Sequence, residues 1–588
     1  VSVSNARIDK FVWLNGRKAE LDAEWQTWQP MYREIQEYIV PWRGRMLSGD
    51  GSGRDDTDGT RRGSKIYDSM PKTQALDIFA AGMQSGLTNP AKPWFRWTFS
   101  DRSLQDRQRP LEWLGGTLQR TQTVLSRCGM YNAFHESYVE HGAFGTAVML
   151  LPEDADKVMR PKTLTCGEYR LACDEDCVPD VLVRYLWMTT RQLLSKFGVE
   201  NCPDQVRRAA TDHGGFETRW AVFHLIAPSD DPEWPADLLS MRPNRAHRFA
   251  SIYWMTSAGG NTVLHAGGYS SKPFVASRWD TVANQTYGTS PAMDAISDVR
   301  MLMCQHEKRL MAIDKENDPP MMADASLQGI VDNNPGGMTW ITGGTAAQAG
   351  VKPLYQMRAN LPALLLAIQD TRYGIRAALK ADLFQMLSAD NYAGEQAVNM
   401  RQVTATEIAV RHSEKLQVLG PSIVRLHAEQ TGPVLERTFA LMTEFGMIPP
   451  APEELGGKSF GPEYTSMLDQ ALRMVGISAL HQFVTFAGSV GQLDANVVRK
   501  VKWADMLDRY ADTTGVDPDL MVGDEEYQAQ MAQVAQDQRN MALAAQYQAG
   551  GQAAKTMSET KMQQNSMLDA LMGSDALSEM ASRGLATR

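Results

Sequence analysis

A few stretches of the chain carry residue types that nucleotide, metal or nucleophilic chemistry would use. The loop from Gly344 to Lys352 is glycine-rich, but Val351 separates Gly350 from Lys352. A phosphate-cradling loop needs its lysine directly after the last glycine, so that the ammonium meets the phosphates held by the loop amides. Gly59, Gly63 and Lys65 miss the same spacing. His135-Glu136 opens a zinc-protease pattern, yet no second histidine follows one turn later. Among Cys166, Cys173, Cys177 and Cys202, the pair Cys173 and Cys177 has zinc-like spacing and the others form no second pair. Buried free thiols are the expected state. His141 and His224 read as hydrogen-bonded structural residues rather than bases. Asp174-Glu175-Asp176 and Asp524-Glu525-Glu526 have the charge to hold a cation, but such runs usually mark solvated loops or helix starts. Lys92, Trp94, Phe95, Arg96 and Trp97 interleave bases with aromatics, as base stacking would require. The prolines around them and the alternation that follows argue instead for a strand with its aromatics in a core. No catalytic residue, cofactor or metal ligand emerges.

Composition fits a folded chain of several packed regions. At 588 residues it exceeds one compact core. Its apolar fraction of 43% and charged fraction of 22% are ordinary for globular chains. The formal net charge of −10 announces no basic nucleic-acid footprint. An acidic wall would let a polyanion slide past without adsorbing. The 33 methionines suit large adaptable contacts, or reflect a compositional habit of the genome. Six cysteines in this length point to a reducing compartment. With no leader-like apolar core and no membrane-length apolar run, a soluble protein is expected.

The elements alternate in character. Leu21, Trp25, Trp28, Tyr32, Ile35 and Ile39 predict a helix over about 18–40, with Pro30 as a kink. Residues 44–64 read as a Gly-, Asp- and Arg-rich loop. Helices are expected from Pro71 to Leu87, from Pro110 to Gly129 and from Met130 to Phe144. Between 145 and 285 short β-type runs dominate: Ala147–Leu151, Val178–Trp187, Trp220–Ile226, Phe249–Met255 and Pro273–Trp279, with a helix at Thr190–Phe197. Then Ile296, Val299, Met303, His306, Leu310 and Ile313 step by three and four, a heptad-like stripe. They lie on a helix from Pro291 to about Asn317, roughly 40 Å long, with Ser290 as its N-cap. Two more helices are expected at 361–388 and 402–446, the second bent at Gly420-Pro421 and Gly432-Pro433. A helical region follows over 464–510. Beyond Gly523 a Gln-, Ala- and Met-rich tail is either a packed helix or disordered.

Four ordered stretches resemble the portal (head-to-tail connector) family of short-tailed bacteriophages. The first is Ile66-Tyr67-Asp68-Ser69 with Gly82-Met83-Gln84-Ser85-Gly86-Leu87-Thr88-Asn89-Pro90 and Pro93-Trp94-Phe95. The second is Tyr287-Gly288-Thr289-Ser290-Pro291 at the start of the long helix. The third is Asp382-Leu383-Phe384, then Thr404-Ala405-Thr406-Glu407. The fourth is Leu419-Gly420-Pro421 followed by Glu429, Pro433, Arg437 and Phe439. They span about 60–450.

The resemblance implies an α+β, mainly helical, elongated portal-type subunit with wing, stem, clip and crown regions. It implies a homo-oligomeric ring, usually a 12-mer, at one capsid vertex of the virion, assembled in the host cytoplasm. Its partners would be the terminase motor, then tail or adaptor proteins, major capsid and scaffolding proteins, and double-stranded DNA without sequence specificity, with no membrane. On this basis 1–217 is assigned to an N-terminal helical and β wing region and 218–285 to a β-rich clip-containing region. Residues 286–318 become the stem helix, and 319–401 the wing strands, a helix and the channel loop. Residues 402–450 form the long bent helix, 451–522 the helical crown and 523–588 the tail. Asp390, Asn391, Glu395, Asn399 and Arg401 are expected in the channel loop facing DNA, with an ordinary surface loop as the alternative. The stripe from Ile296 to Ile313 is expected to pack subunit against subunit. Twelve subunits would carry about −120 charges before counterions, so weak salt-dependent DNA affinity is expected. The competing readings are a DNA-packaging enzyme subunit, which the missing P-loop disfavours, and a tail or adaptor protein bound to the portal.

Overall fold

A long amphipathic helix opens the computed structural model. This helix, α1 (Lys10–Tyr38), buries Leu14, Leu21, Trp25, Tyr32 and Ile35, spaced by seven, four, seven and three residues along one side. The Asp9 carboxylate caps it by accepting from the Phe11 amide at 3.0 Å. The helix begins earlier than its large apolar residues predict, because this cap turns Phe11–Leu14 into its first turn. Pro30 is accommodated inside it.

The structure describes residues 9–43, 65–99, 108–317 (without 213, 231–233, 242–245 and 258–259), 321–322, 352–353, 361–387, 418–452, 459–466, 468, 483–484, 486–487, 503, 506–507, 527 and 529–544. They fall in two units, Val1–Val501 and Lys502–Arg588. In the second unit residues 529–544 are helical with exposed side chains.

In the first unit a π-helical turn, Pro71–Leu76, runs into α2 (Asp77–Leu87), then β1 (Phe95–Phe99), α3 (Gln108–Cys128) and α4 (Met130–Phe144). Short strands follow: β2 (Thr146–Leu150), β3 (Glu153–Asp154), β4 (Val158–Met159), β5 (Lys162–Leu164), β6 (Tyr169–Cys173) and the longer β7 (Pro179–Thr189). Helices α5 (Thr190–Phe197) and α6 (Asp204–Thr211) lead to β8 (Arg219–Pro228), α7 (Ala236–Ser240), β9 (Phe249–Ser257), β10 (Gly260–Tyr269) and β11 (Phe274–Arg278). Then come α8 (Pro291–Asn317), β12 (Met321–Met322), β13 (Lys352–Pro353), α9 (Leu361–Ala378) and α10 (Ala381–Leu387). The last described elements of this unit are α11 (Gly420–Leu426), a π-helical turn (His427–Thr431), α12 (Gly432–Glu444) and β14 (Phe460–Tyr464). The architecture is mixed α+β.

One large core gathers most helices around the three-stranded sheet β11-β2-β5 and the β1-β14 pair. The five-stranded antiparallel sheet β10-β9-β8-β7-β6 is packed on both faces. Leu14 and Leu21 of α1 cover one face with Val183, Leu225 and Ile252. Leu193 and Phe197 of α5 and Val206 of α6 cover part of the other with Val222, Tyr253 and Met255. Strands β7 and β8 are direct neighbours in this sheet, so the expected boundary at 217/218 falls between two paired strands.

One expected helix divides where the backbone requires it. The helix expected over 361–388 breaks between α9 and α10 at Lys380, which takes φ +57°. The described part of the helix expected over 402–446 begins at Gly420-Pro421 and passes from the π-helical turn into α12 at Gly432-Pro433, each proline occupying a first-turn position. Strand β14, antiparallel to β1, ends where the helical region expected over 464–510 begins, and within that region the described residues 468, 483–484, 486–487, 503 and 506–507 are helical. Residues 402–417, most of 464–510 and most of the tail lie outside the described residues.

Candidate functional site

Several of the side chains singled out in the sequence sit in the packing core of the first unit. Asp68, just before the first π-turn, accepts from Arg372 Nε at 3.0 Å and Nη2 at 2.8 Å on α9, and from the Met70 amide at 3.0 Å. Burial pushes the Asp68 carboxyl up, but the Met70 amide, Arg372 and His306 together hold it below the usual carboxylate range. His306 Nε2 of α8 lies 3.1 Å from Asp68, without hydrogen-bond geometry. Burial keeps that imidazole's pKa low against the opposing pull of Asp68. The segment before α2 is thus fastened to both α8 and α9. Gly82 lets α10 approach α2 closely: a Cβ there would lie 2.2 Å from Phe384 Cγ.

The second stretch fastens the start of α8 to the end of α4. Tyr287 is buried and its hydroxyl accepts from the Leu171 amide at 3.1 Å. The Gly288 amide donates to Thr146 Oγ1 at 2.8 Å. Ser290 Oγ accepts from the Met293 amide at 3.1 Å, the expected cap, and donates to Ala143 O at 2.8 Å. Gly145 ends α4 at φ +77°, and a Cβ there would meet Gly288 O at 2.5 Å.

The fourth stretch supplies charge to the same region. Glu429 lies in the π-turn and takes Arg278 of β11 in a forked pair: Nη2 to Oε1 at 2.8 Å and Nε to Oε2 at 3.3 Å. The Arg278 amide donates to Oε2 at 2.8 Å as well. Arg437 of α12 bonds Glu153 at 2.7 Å and also reaches Ser271. Gln430 bonds His141 at 3.1 Å and Ser137 at 2.6 Å. Phe439 packs against Trp97 and Phe460.

The remaining candidates are structural where they are described. His141 is fully buried, and burial lowers its pKa to about 4. It also contacts Ser277 Oγ at 3.0 Å. His224 is fully buried, stacks on Tyr253 and bonds Ser251. Trp94, Phe95, Trp97 and Phe99 are buried on and beside β1, so the aromatic stretch builds core. Among the described residues no group of three or more His, Cys, Asp or Glu is placed to hold a metal. Cys166 and Cys202 belong to different cores. The expectation of uniformly buried thiols needs correction: Cys173 and Cys177 are half-buried beside a turn, and Cys304 is exposed on α8.

The long stripe divides in two. Ile296, Val299 and Met303 are at most 4% exposed within their own subunit. Side chains so enclosed have no surface left for a neighbour, and each contributes about 1.5–3 kcal/mol of burial to its own fold. The C-terminal half of the stripe is less enclosed. There His306 and Ile313 are half-buried and Leu310 is 51% exposed. Asp390, Asn391, Glu395, Asn399 and Arg401 lie outside the described residues, as does most of the Gly344–Lys352 loop.

Sequence reasoning missed the partners of these clamps. Arg170 lies within the apolar strand β6 and Arg278 ends the apolar strand β11, the visible sign of a buried cation needing a carboxylate. Arg170 pairs with Asp22 at 2.8 Å, and Glu140, fully buried, pairs with Arg43 at 2.9 Å. The carboxylates come from distant helices, a pairing that no local pattern displays. The arrangement ties sequence-distant helices and strands into one body and presents no reacting constellation.

The comparisons agree with that character. A family model described as bacteriophage head to tail connecting protein matches residues 13–522. The "Probable portal protein" of Bordetella phage BPP-1 is 33% identical over 558 residues, covering 95% of this chain and 97% of the relative. The "Portal protein" of Salmonella phage epsilon15 is 31% identical over 558 residues, covering 94% and 96%. Among solved structures, the "Virion of native gene transfer agent (GTA) particle" aligns with 70% of this chain and 96% of that one, at 11% identity and TM-score 0.25. The chain belongs to the bacteriophage head-to-tail connecting protein family, a family of structural phage proteins and not of enzymes.

Proposed function

We propose that this chain is the portal of its phage, a ring of twelve subunits at one capsid vertex that forms the channel for genome packaging and ejection. The observation that carries this reading is the alignment with two phage portal proteins along nearly the whole of each chain. That coverage favours the portal itself over a smaller tail or adaptor protein, and membership in a structural family sets aside a packaging enzyme. The terminase motor docks on the ring during packaging and tail proteins replace it afterwards. Major capsid and scaffolding proteins meet the wing, and assembly takes place in the host cytoplasm. Double-stranded DNA passes without sequence specificity.

In this reading α8 is the stem, with Met301, Leu310 and Met311 as exposed apolar residues available to neighbours. The clip lies within 218–285, where β10 is an edge strand of the five-stranded sheet. The loop around Asp390 to Arg401 faces the channel. The acidic surplus suits a conduit that must not bind its cargo. Negative-stain imaging of the purified chain tests the reading: rings with a central hole support it, whereas monomers or sixfold tubes overturn it.

A further inference from the structure

One face of the five-stranded sheet carries a polar ladder that the clamps of the core do not use. Tyr169, Arg184, His224, Tyr253 and His265 lie opposite one another on β6, β7, β8, β9 and β10. Directly opposed side chains on neighbouring strands are in contact range. The His224 and Tyr253 rings stack at 3.7 Å, and His224 Nε2 bonds Ser251 Oγ at 2.9 Å. Lys196 of α5 reaches the Tyr253 hydroxyl at 3.1 Å and lies 4.2 Å from the ring centre. On one side of the ladder Leu182 and Ile226 join the large core. On the other, Leu186, Met188, Val222 and Met255 join the core under α5 and α6. The ladder is thus a polar seam between two hydrophobic cores on one sheet face.

Its charge is unbalanced. Arg184 is 5% exposed, its Nε is buried without a hydrogen-bond partner, and among the described residues no carboxylate pairs with it. Glu168 acts on it electrostatically without such a bond. His224 Nδ1 is buried and unpartnered as well. Lys196 adds a second cation, and burial together with Arg184 pulls its pKa down to about 8. A buried cation with no carboxylate bonded to it is unfavourable, whereas a guanidinium with an unpartnered donor matches an oxyanion in shape and charge.

We propose that this seam is an oxyanion-binding site that takes a phosphate-class ligand between Arg184, Lys196 and the Ser251 and Tyr253 hydroxyls. The ligand is a free small anion rather than a nucleic-acid phosphodiester. Arg184 and His224 are too enclosed for a duplex backbone to reach, while the exposed Lys196 and His265 mark the open end of the seam.

The test uses the full chain and inorganic phosphate, titrated calorimetrically against chloride at matched ionic strength. One saturable site per chain is expected, and the thermal midpoint should rise with phosphate. K196Q, at the open end, should fold normally and weaken phosphate binding about tenfold, the loss of one charge-assisted hydrogen bond. R184M should abolish the phosphate response while matching or exceeding the native thermal midpoint in phosphate-free buffer, because it removes an unbalanced buried cation. Short duplex DNA should not displace phosphate. The proposal is overturned by phosphate heats no larger than those of chloride, by native affinity in K196Q, or by displacement of phosphate by DNA.

Discussion

Removing the Glu429 carboxylate should loosen strand β11 from the helices that brace it. In the Glu429→Ala variant Arg278 keeps its bonds to Cys177 O at 2.9 Å and Gln285 O at 3.3 Å but loses its counter-charge and the forked contact. The Arg278 backbone amide loses its acceptor too. Breaking a fully buried pair from one side costs about 3–5 kcal/mol. The Arg278 side chain is 7% exposed and that of Glu429 18%, so water relieves part of this, and about 2–3 kcal/mol is expected. The loss should be local at first. Hydrogen exchange of the peptide covering 274–278 should accelerate by about thirty- to a hundredfold, each tenfold step being about 1.4 kcal/mol. Exchange over β9 should change little. Glu429→Gln, which keeps an acceptor, should fall between. Pairing Glu429→Leu with Arg278→Met should recover most of the loss, since an apolar pair leaves no stranded charge. Less than a threefold change in β11 exchange for Glu429→Ala, or strictly additive losses in the double variant, would refute the clamp.

Three further outcomes follow from the same geometry. The His141 pKa is lowered to about 4 from an ordinary 6.5, so the unfolded chain binds the extra proton between those values. Its contribution is intact above pH 6.5 and is lost as pH falls towards 4, by up to about 3 kcal/mol; His141→Gln should flatten that part of the stability profile in denaturant titrations, and an unchanged slope would count against it. Gly82→Ala should cost about 1–3 kcal/mol by driving a Cβ into Phe384, and Phe384→Ala in the same chain should relieve the clash; a denaturation midpoint unmoved by Gly82→Ala would contradict the close approach. Aspartate at Met301, Leu310 or Met311, exposed by 46%, 51% and 51%, should reduce ring formation in size-exclusion profiles while leaving the circular dichroism of the subunit unchanged. Unaltered assembly in all three would remove these exposed positions of α8 from the subunit contact.

Local patterns exposed the helices best. The helix from Pro291 to about Asn317 was readable because Ser290, Pro291 and the apolar stripe agree, and Gly432-Pro433 marks a real change from π-turn to α-helix. Strand β10 was missed because Gly260, Gly267 and Gly268 suppress the β signal that valine or isoleucine would give. The break at Lys380 was hidden because positive φ there has no glycine to announce it. The stripe showed which residues share a helix face but not what covers that face: Ile296 and Leu310 look alike in sequence, and only the packing around α8, which buries Ile296 and leaves Leu310 exposed, distinguishes them. The same limit applies to Arg278 and Glu429, and to the ladder through Arg184, where each residue is ordinary in its own strand and the register alone brings them together.

The central claim is that this chain closes into a portal ring. Native mass spectrometry of the purified full chain counts the subunits directly. The account predicts a closed oligomer of twelve copies. A chain that remains monomeric at micromolar concentration, or that assembles only into open polymers of variable length, would contradict it.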